Sequence, residues 1–162
     1  MLSKRTGLIL NDEMDDFSSN FTNGFGVPPS KHNLIEPGKR ALSSMCPSFF
    51  IDGSGNVRLT IGASGGTKIT TAVAVVAIRH LWMNETIKKA IDWPRIHHQL
   101  FPNEIVFENN FPNDILNRLK QLGHKTKDLG QERGAIVMAV NRLNGLLYAN
   151  SDFRKGGDVD GV

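Results

Sequence analysis

Short apolar stretches separated by glycine-rich turns mark the middle of the chain. Residues 48–51 and 57–61 are mostly apolar or β-branched, and they flank residues 52–56, where two glycines permit positive φ. This pattern predicts a β-hairpin. Residues 69–82 are apolar on most of their circumference, and Thr67 stands where an N-cap is expected. A largely buried helix is therefore predicted after the turn.

The C-terminal half predicts a mixture of helices and paired strands. The predicted elements are a helix over 84–91, a strand over 105–108, an amphipathic helix from Pro112 to Gly123, and two strands over 135–140 and 145–149 joined by a loop over 141–144. Because strands pair as hairpins and helices come in blocks, an α+β fold with a largely antiparallel sheet is favoured over a doubly wound parallel sheet.

The N-terminal part has little periodicity. Residues 7–10 predict a short buried strand, and residues 11–39 are rich in Asn, Asp, Ser, Pro and Gly. Loops of this length are uncommon in compact domains unless they bind a ligand or pack against another chain.

Composition places the chain among globular proteins. Its 162 residues are 40% hydrophobic and 22% charged, which predicts a single domain over 1–162. The formal net charge of +3 is too small, and the basic residues too scattered, to indicate nucleic-acid binding. Cys46 is the only cysteine, so neither an internal disulfide nor a CxxC metal site can form.

Two polar segments are candidates for ligand binding. Four carboxylates crowd into residues 12–16, which is unfavourable unless a cation lies among them. The ordinary interpretation is a solvated acidic turn; the sharper one is that two of them, one on each side of a turn, bind an ammonium group. Ser43 and Ser44 are an ordinary polar loop or a pair of hydroxyl donors to a carboxylate.

The glycine-rich stretch 62–67 connects the predicted strand and helix. Three interpretations stay open: a phosphate site, an oxyanion hole, or a tight turn without a ligand. It is not a P-loop, since Lys68 follows Thr67. His97 and His98 lack further ligands at metal spacing, so a structural role is predicted, and Asp152 with Arg154 predicts a clasp that orders the C-terminal segment.

Five ordered blocks together resemble the small subunit of gamma-glutamyltransferases. They cover residues 7–18, 37–47, 62–67, 94–99 and 151–157. The resemblance implies an N-terminal-nucleophile hydrolase sandwich of helix, sheet, sheet and helix, with no cofactor and no metal. It also implies that a threonine, freed by autocleavage, attacks the γ-glutamyl amide of glutathione and passes the glutamyl group to water or to an amino-acid or peptide acceptor.

The resemblance also implies roles for particular residues. Glu13 and Asp16 would bind the α-ammonium of the substrate, and Ser43 and Ser44 its α-carboxylate. Gly65 and Gly66 would supply the N–H groups of the oxyanion hole.

The family's threonine lies upstream of the 7–10 block, where this sequence has only residues 1–6. We therefore expect a truncated small-subunit portion without its nucleophile, inactive towards a γ-glutamyl anilide by itself. The expected partner is a large subunit, which would also place the chain at the extracellular face of the plasma membrane. The missing opening strands are expected to leave apolar sheet surface uncovered, so that the isolated chain aggregates.

Two alternatives stay open at this point. One is a non-catalytic, light-chain-like protein that binds γ-glutamyl compounds or a partner subunit. The other is a phosphate or nucleotide site at the 62–67 turn.

Overall fold

The computed structural model describes residues 3–132 and 134–161. The chain divides into two compact units, Met1–Ser44 and Met45–Val162. The strands are β1 Ser48–Ile51, β2 Val57–Ser64, β3 Ile96–His97, β4 Ile105–Phe107, β5 Thr126–Asp128, β6 Ile136–Leu143 and β7 Leu146–Asn150; the helices are α1 Ile69–Leu81, α2 Ile87–Asp92 and α3 Asn113–Gln121. Short 3-10 helices span Glu13–Asp16, Lys31–Asn33 and Gly66–Lys68. The prediction of one domain over 1–162 stays a prediction.

The first unit consists mostly of loop. Its regular structure within the described residues is limited to the two 3-10 helices Glu13–Asp16 and Lys31–Asn33, which confirms the predicted long loop. The predicted buried strand over 7–10 is wrong, because Leu8, Ile9 and Leu10 are all more than half exposed. An apolar run becomes a buried strand only where neighbouring strands pair along it, and within residues 3–44 Ile9 alone forms an isolated β-bridge.

A four-stranded antiparallel sheet in the order β1-β2-β6-β7 organises the second unit. The β1–β2 hairpin confirms the prediction, although β2 continues to Ser64. The predicted 141–144 loop is wrong, because β6 runs to Leu143 and the turn to β7 is Asn144-Gly145. Both turn residues have positive φ, as an Asn-Gly hairpin turn requires.

The core of the second unit lies between this sheet and the helices. One face of β2 and β6 packs against α1 and α2, and the buried residues are Leu59, Ile61, Ile69, Ala72, Val73, Val76, Ala77, Ile87, Ala90, Ile91, Ala135, Val137 and Ala139. This confirms the buried helix. The N-cap prediction for Thr67 is wrong, because a 3-10 turn precedes α1 and the Thr67 hydroxyl donates to Gln99 Oε1 instead, at 2.6 Å.

A smaller sheet, in the order β3-β4-β5, follows helices α1 and α2 in the sequence. Strand β4 pairs antiparallel with β3 and parallel with β5, and α3 forms the crossover between β4 and β5. The predicted strand near 105–108 and the amphipathic helix are confirmed, with Leu116 buried. Strands β3 and β5 have only two and three residues, too short for an alternating pattern to show.

A buried ion network ties the C-terminal segment to both sheets. Asp152, 1% exposed, pairs with Arg95 and Arg154 and accepts the Val137 amide, and Arg154 also pairs with Glu108. The predicted clasp is thereby confirmed. Burial lowers the pKa of Arg95 to about 10, with a further contribution from the Arg154 charge. Burial alone would raise the pKa of Glu108, but hydrogen bonds from Arg154 and Arg95 outweigh it and lower that pKa.

Candidate functional site

The acidic loop, defined as the 3-10 helix Glu13–Asp16, begins where the Asn11 side chain accepts the Glu13 amide at 3.0 Å. A 3-10 helix repeats every three residues, so the side chains of Glu13 and Asp16 emerge on the same side. The predicted ammonium site between two of these carboxylates stays a prediction. Among residues 3–132 and 134–161, no basic side chain forms an ion pair with either carboxylate.

One side chain connects the acidic loop to the segment that carries the two serines. Asn33 Nδ2 donates to the carbonyl of Asp16 at 2.8 Å, and Asn33 Oδ1 accepts the amide of Leu42 at 2.9 Å. Leu42 directly precedes Ser43, which is exposed, and the half-buried Ser44. The candidate ammonium and carboxylate groups thus belong to one hydrogen-bonded loop assembly. Sequence reasoning missed Asn33, since one asparagine in a polar loop carries no distinguishing signal.

The glycine turn, defined as Gly65–Lys68, lies between β2 and α1 in the second unit. Gly65 has φ 139° and Gly66 has φ 61°, conformations that favour glycine. A Cβ atom on Gly65 would also lie 2.9 Å from Ala135 Cα. Outside the strand ladders, the Gly65 and Gly66 amides donate no hydrogen bond among residues 3–132 and 134–161. Two backbone donors at the start of a helical segment suit an anion.

These groups have different chemistries. Glu13 and Asp16 offer negative charge to a cation, the serines offer hydroxyl donors, and the glycine turn offers backbone amides. The first two sets belong to unit Met1–Ser44 and the third to unit Met45–Val162. In the described part of the chain, three or more His, Cys, Asp or Glu side chains do not converge into a metal-binding group. The described helices include none long and apolar enough to cross a membrane.

Comparison with known proteins gives a family match over the whole sequence. The family model described as gamma-glutamyltranspeptidase matches residues 1–162. Scoloptoxin SSD20 of Scolopendra dehaani is 55% identical over 161 residues, which cover 98% of this chain and 81% of that protein. Scoloptoxin SSD14 of the same organism is also 55% identical, but the chain covers only 28% of it. Glutathione hydrolase proenzyme 1 of Schizosaccharomyces pombe is 39% identical over 96% of this chain and 25% of its own length.

A solved structure gives the same result for the fold. The gamma-glutamyltranspeptidase from Pseudomonas nitroreducens, complexed with L-DON, superposes with a TM-score of 0.84 and 36% identity. The match covers all of this chain and 85% of that chain. The predicted α+β, N-terminal-nucleophile hydrolase fold is confirmed.

Proposed function

This chain belongs to the gamma-glutamyltranspeptidase family, and on that premise we propose that it binds the γ-glutamyl group of glutathione and related compounds for transfer to water or to an acceptor amino acid or peptide. The name of the Schizosaccharomyces pombe relative, a glutathione hydrolase, supports glutathione as the donor. The chain spans 28% of scoloptoxin SSD14 and 25% of glutathione hydrolase proenzyme 1. Its proposed role is therefore limited to the part of the reaction that its own residues can perform.

The observation that carries the proposal is the arrangement of the acidic loop. Glu13 and Asp16 are three residues apart on a 3-10 helix, a spacing that puts side chains on the same side of the turn, and neither forms an ion pair within the described residues. A substrate ammonium group between two carboxylates would relieve their mutual repulsion and form charge-assisted hydrogen bonds. Ser43 and Ser44, which Asn33 ties to the same assembly, would donate hydroxyls to the α-carboxylate.

The glycine turn supplies the complementary chemistry for the reacting bond. Attack on the γ-carbonyl carbon moves an electron pair to its oxygen, and amides aimed at that oxygen stabilise the developing charge. We assign the Gly65 and Gly66 amides to this role. Removing one such donor costs about 3 kcal/mol of barrier in comparable sites. We assign no nucleophile to the printed residues.

Titration calorimetry of the full chain with glutathione tests the binding role. Glu13→Gln and Asp16→Asn each remove one charge from the proposed ammonium site, and each is expected to weaken binding by about tenfold or more. Asp15→Asn is the matched control, since Asp15 is on the same turn but off the shared side. Equal losses in all three variants, or no binding by the unmodified chain, would refute the proposed site.

A second candidate function has a specific observation in its favour. Scoloptoxin SSD20 is a relative of which this chain covers 81%, so a protein of similar length exists among the relatives. A light-chain-like protein would bind γ-glutamyl compounds or a partner subunit without turning them over. Incubation of the same samples with a γ-glutamyl anilide distinguishes the two functions: binding without product favours the light-chain-like protein, and turnover that depends on Glu13 favours the enzyme.

We further propose that a large subunit of the family covers the free face of the four-stranded sheet. Phe49, Met138 and Leu147 project from the side opposite the buried Leu59 and Val137, and all three are more than 60% exposed. Exposed apolar sheet surface of this kind marks an interface or an aggregation site.

Sedimentation of the purified chain alone is expected to show self-association that a large subunit suppresses. Met138→Glu should weaken binding to the large subunit, whereas Leu122→Glu, at the exposed end of α3, should leave it unchanged. A stable monomer that unfolds cooperatively and ignores the large subunit would contradict this interface.

A further inference from the structure

One threonine within the glycine turn and one in the first turn of α1 are both linked by hydrogen bonds to the same buried histidine. Thr67 Oγ1 donates to Gln99 Oε1 at 2.6 Å, and that oxygen also lies 2.8 Å from His97 Nε2. On the other side, Thr71 Oγ1 lies 2.8 Å from His97 Nδ1 and 3.1 Å from the carbonyl of Lys68, the last residue of the turn. His97 is only 7% exposed.

The partners of Gln99 fix the direction of the bonds. Gln99 Nε2 donates to the carbonyl of Phe101 at 2.7 Å, so Oε1 is the atom that faces His97. An amide oxygen can only accept, and therefore His97 Nε2 carries a proton and donates it. Oε1 then accepts two hydrogen bonds, one from His97 Nε2 and one from Thr67 Oγ1. The Gln99 side chain that holds Thr67 is itself fixed by its bonds to His97 and to the Phe101 carbonyl.

The Thr71 hydroxyl completes the link. It has one proton, which goes either to the Lys68 carbonyl or to His97 Nδ1. With a neutral ring, Nδ1 accepts from Thr71; with a charged ring, Nδ1 donates to Thr71 and the hydroxyl turns to Lys68. In either state, the ring contacts Thr71 in the first turn of α1, five residues after Gly66.

We propose that His97 is a positioning residue for the glycine turn, aligning the Gly65 and Gly66 amides through Gln99–Thr67 and through Thr71. The proposal deepens the proposed function and depends on the oxyanion role given to those amides. His97 is suited to this role because β3 pairs it with Val106 of β4, so the ring is anchored outside the turn that it holds. Oxyanion donors lose effect when their direction changes by about 10–20°.

Two ligands distinguish recognition of the γ-group, proposed for the glycine turn, from recognition of the α-amino and α-carboxyl groups. Glutamine presents a planar, neutral γ-carbonyl group, and the phosphonate analogue of glutamate presents a tetrahedral anion at the same place. The α-amino and α-carboxyl groups are identical, so the ratio of the two dissociation constants, measured by calorimetry on the full chain, reports recognition of the γ-group, and the change of this ratio between variants reports the turn. The unmodified chain is expected to prefer the phosphonate.

His97→Leu is expected to reduce that preference at least about tenfold while glutamine affinity stays within about threefold. His98→Leu is the control, because His98 contacts Asn103 and Leu100 instead of the turn. Thr71→Val keeps the shape and removes one link, so a partial loss is expected; it also decides the matter if His97→Leu fails to fold.

The outcomes are distinct. An unchanged ratio in Thr71→Val and in a folded His97→Leu overturns the positioning role and leaves the proposed function intact. If the unmodified chain shows no preference for the phosphonate, the oxyanion role of the glycine turn fails, and the role of His97 fails with it. Equal losses in His97→Leu and His98→Leu would also overturn the proposal, since they would indicate a general disturbance of β3.

Discussion

The acidic loop and the glycine turn are held in place by different means. The acidic loop has no buried residue, and its link to the Ser43 segment consists of two hydrogen bonds to the single side chain of Asn33. The glycine turn lies between an eight-residue strand and a thirteen-residue helix, both packed into the core. Segments with few buried contacts open at lower free energy than core elements. The carboxylates proposed to bind the substrate ammonium group are thus on the softer scaffold, and the amides proposed to act on the reacting bond are on the firmer one.

The largest effect is expected from breaking the ion network that supports the firmer scaffold. Asp152→Asn removes the shared carboxylate and leaves Arg95 and Arg154 buried with one anion, Glu108. Disrupting a buried pair in this way costs about 3–5 kcal/mol of unfolding free energy. Urea unfolding measures the loss, and hydrogen exchange should locate it in Met45–Val162.

The control for this variant is Lys88→Gln, which removes the exposed Lys88–Asp92 pair. That change should cost no more than about 1 kcal/mol. If the two substitutions destabilise equally, the buried network contributes little and the contrast between the two scaffolds is weakened.

The next effect concerns the backbone of the glycine turn. Gly65→Ala places a Cβ 2.9 Å from Ala135 Cα at φ 139°, so it should cost about 1–3 kcal/mol and misdirect the neighbouring amides. Thermal unfolding and the phosphonate preference both report the change. Gly62→Ala, where a Cβ meets nothing within 4 Å, should alter neither. A Gly65→Ala variant that keeps full stability and preference would show that the turn tolerates movement.

The same contrast explains how far the sequence could predict the structure. The β1–β2 hairpin, α1, α3 and the β6–β7 pair have long or strongly patterned sequences, and the structure contains all of them. The errors arise where tertiary partners override the local pattern. Thr67 has the chemistry of an N-cap, but its hydroxyl is taken by Gln99, 32 positions away in the sequence.

The candidate site divides in a similar way. The Gly65-Gly66 pair stands out in the sequence, and its φ values of 139° and 61° are ones that favour glycine. The links made by Asn33 and His97 could not be predicted, since their hydrogen-bond partners Asp16 and Thr71 are 17 and 26 residues away in the sequence. Local pattern identifies groups that need a special backbone, whereas residues that align them are defined by tertiary contacts.

A smaller effect is expected on the softer scaffold. Asn33→Ala removes the bonds to the Asp16 carbonyl and the Leu42 amide, each of which contributes about 1 kcal/mol, and glutathione binding should weaken about fivefold or more. Calorimetry gives the affinity, and hydrogen exchange should show faster opening in Met1–Ser44 only. Asn20→Ala, an exposed asparagine of the same unit, is the control. Unchanged affinity in Asn33→Ala would remove Asn33 from the site.

The smallest effect is a dependence of stability on pH that belongs to the firmer scaffold. Burial lowers the pKa of His97 below its ordinary value of 6.5, and the nearby charges of Lys68 and His98 act in the same direction, against the Gln99 hydrogen bond. Below pH 6.5, His97 binds a proton more readily in the unfolded chain than in the folded chain. The free energy of unfolding is therefore expected to be highest above that pH and to fall as pH decreases through it.

Urea midpoints measured at steps from neutral to mildly acidic pH test this sign. Glu108, whose pKa is also lowered, contributes only below its ordinary value of 4.5, so the two groups titrate in separate ranges. His97→Asn should flatten the upper range and leave the lower one, whereas His98→Asn, which removes one of the charges that lower the His97 pKa, should only weaken the dependence in the upper range. A midpoint that rises on acidification through the upper range would mean that the charged ring is the favoured partner of Thr71 and Gln99. In the charged form the Thr71 hydroxyl donates to the Lys68 carbonyl, so the glycine turn would then be held most firmly by the imidazolium form.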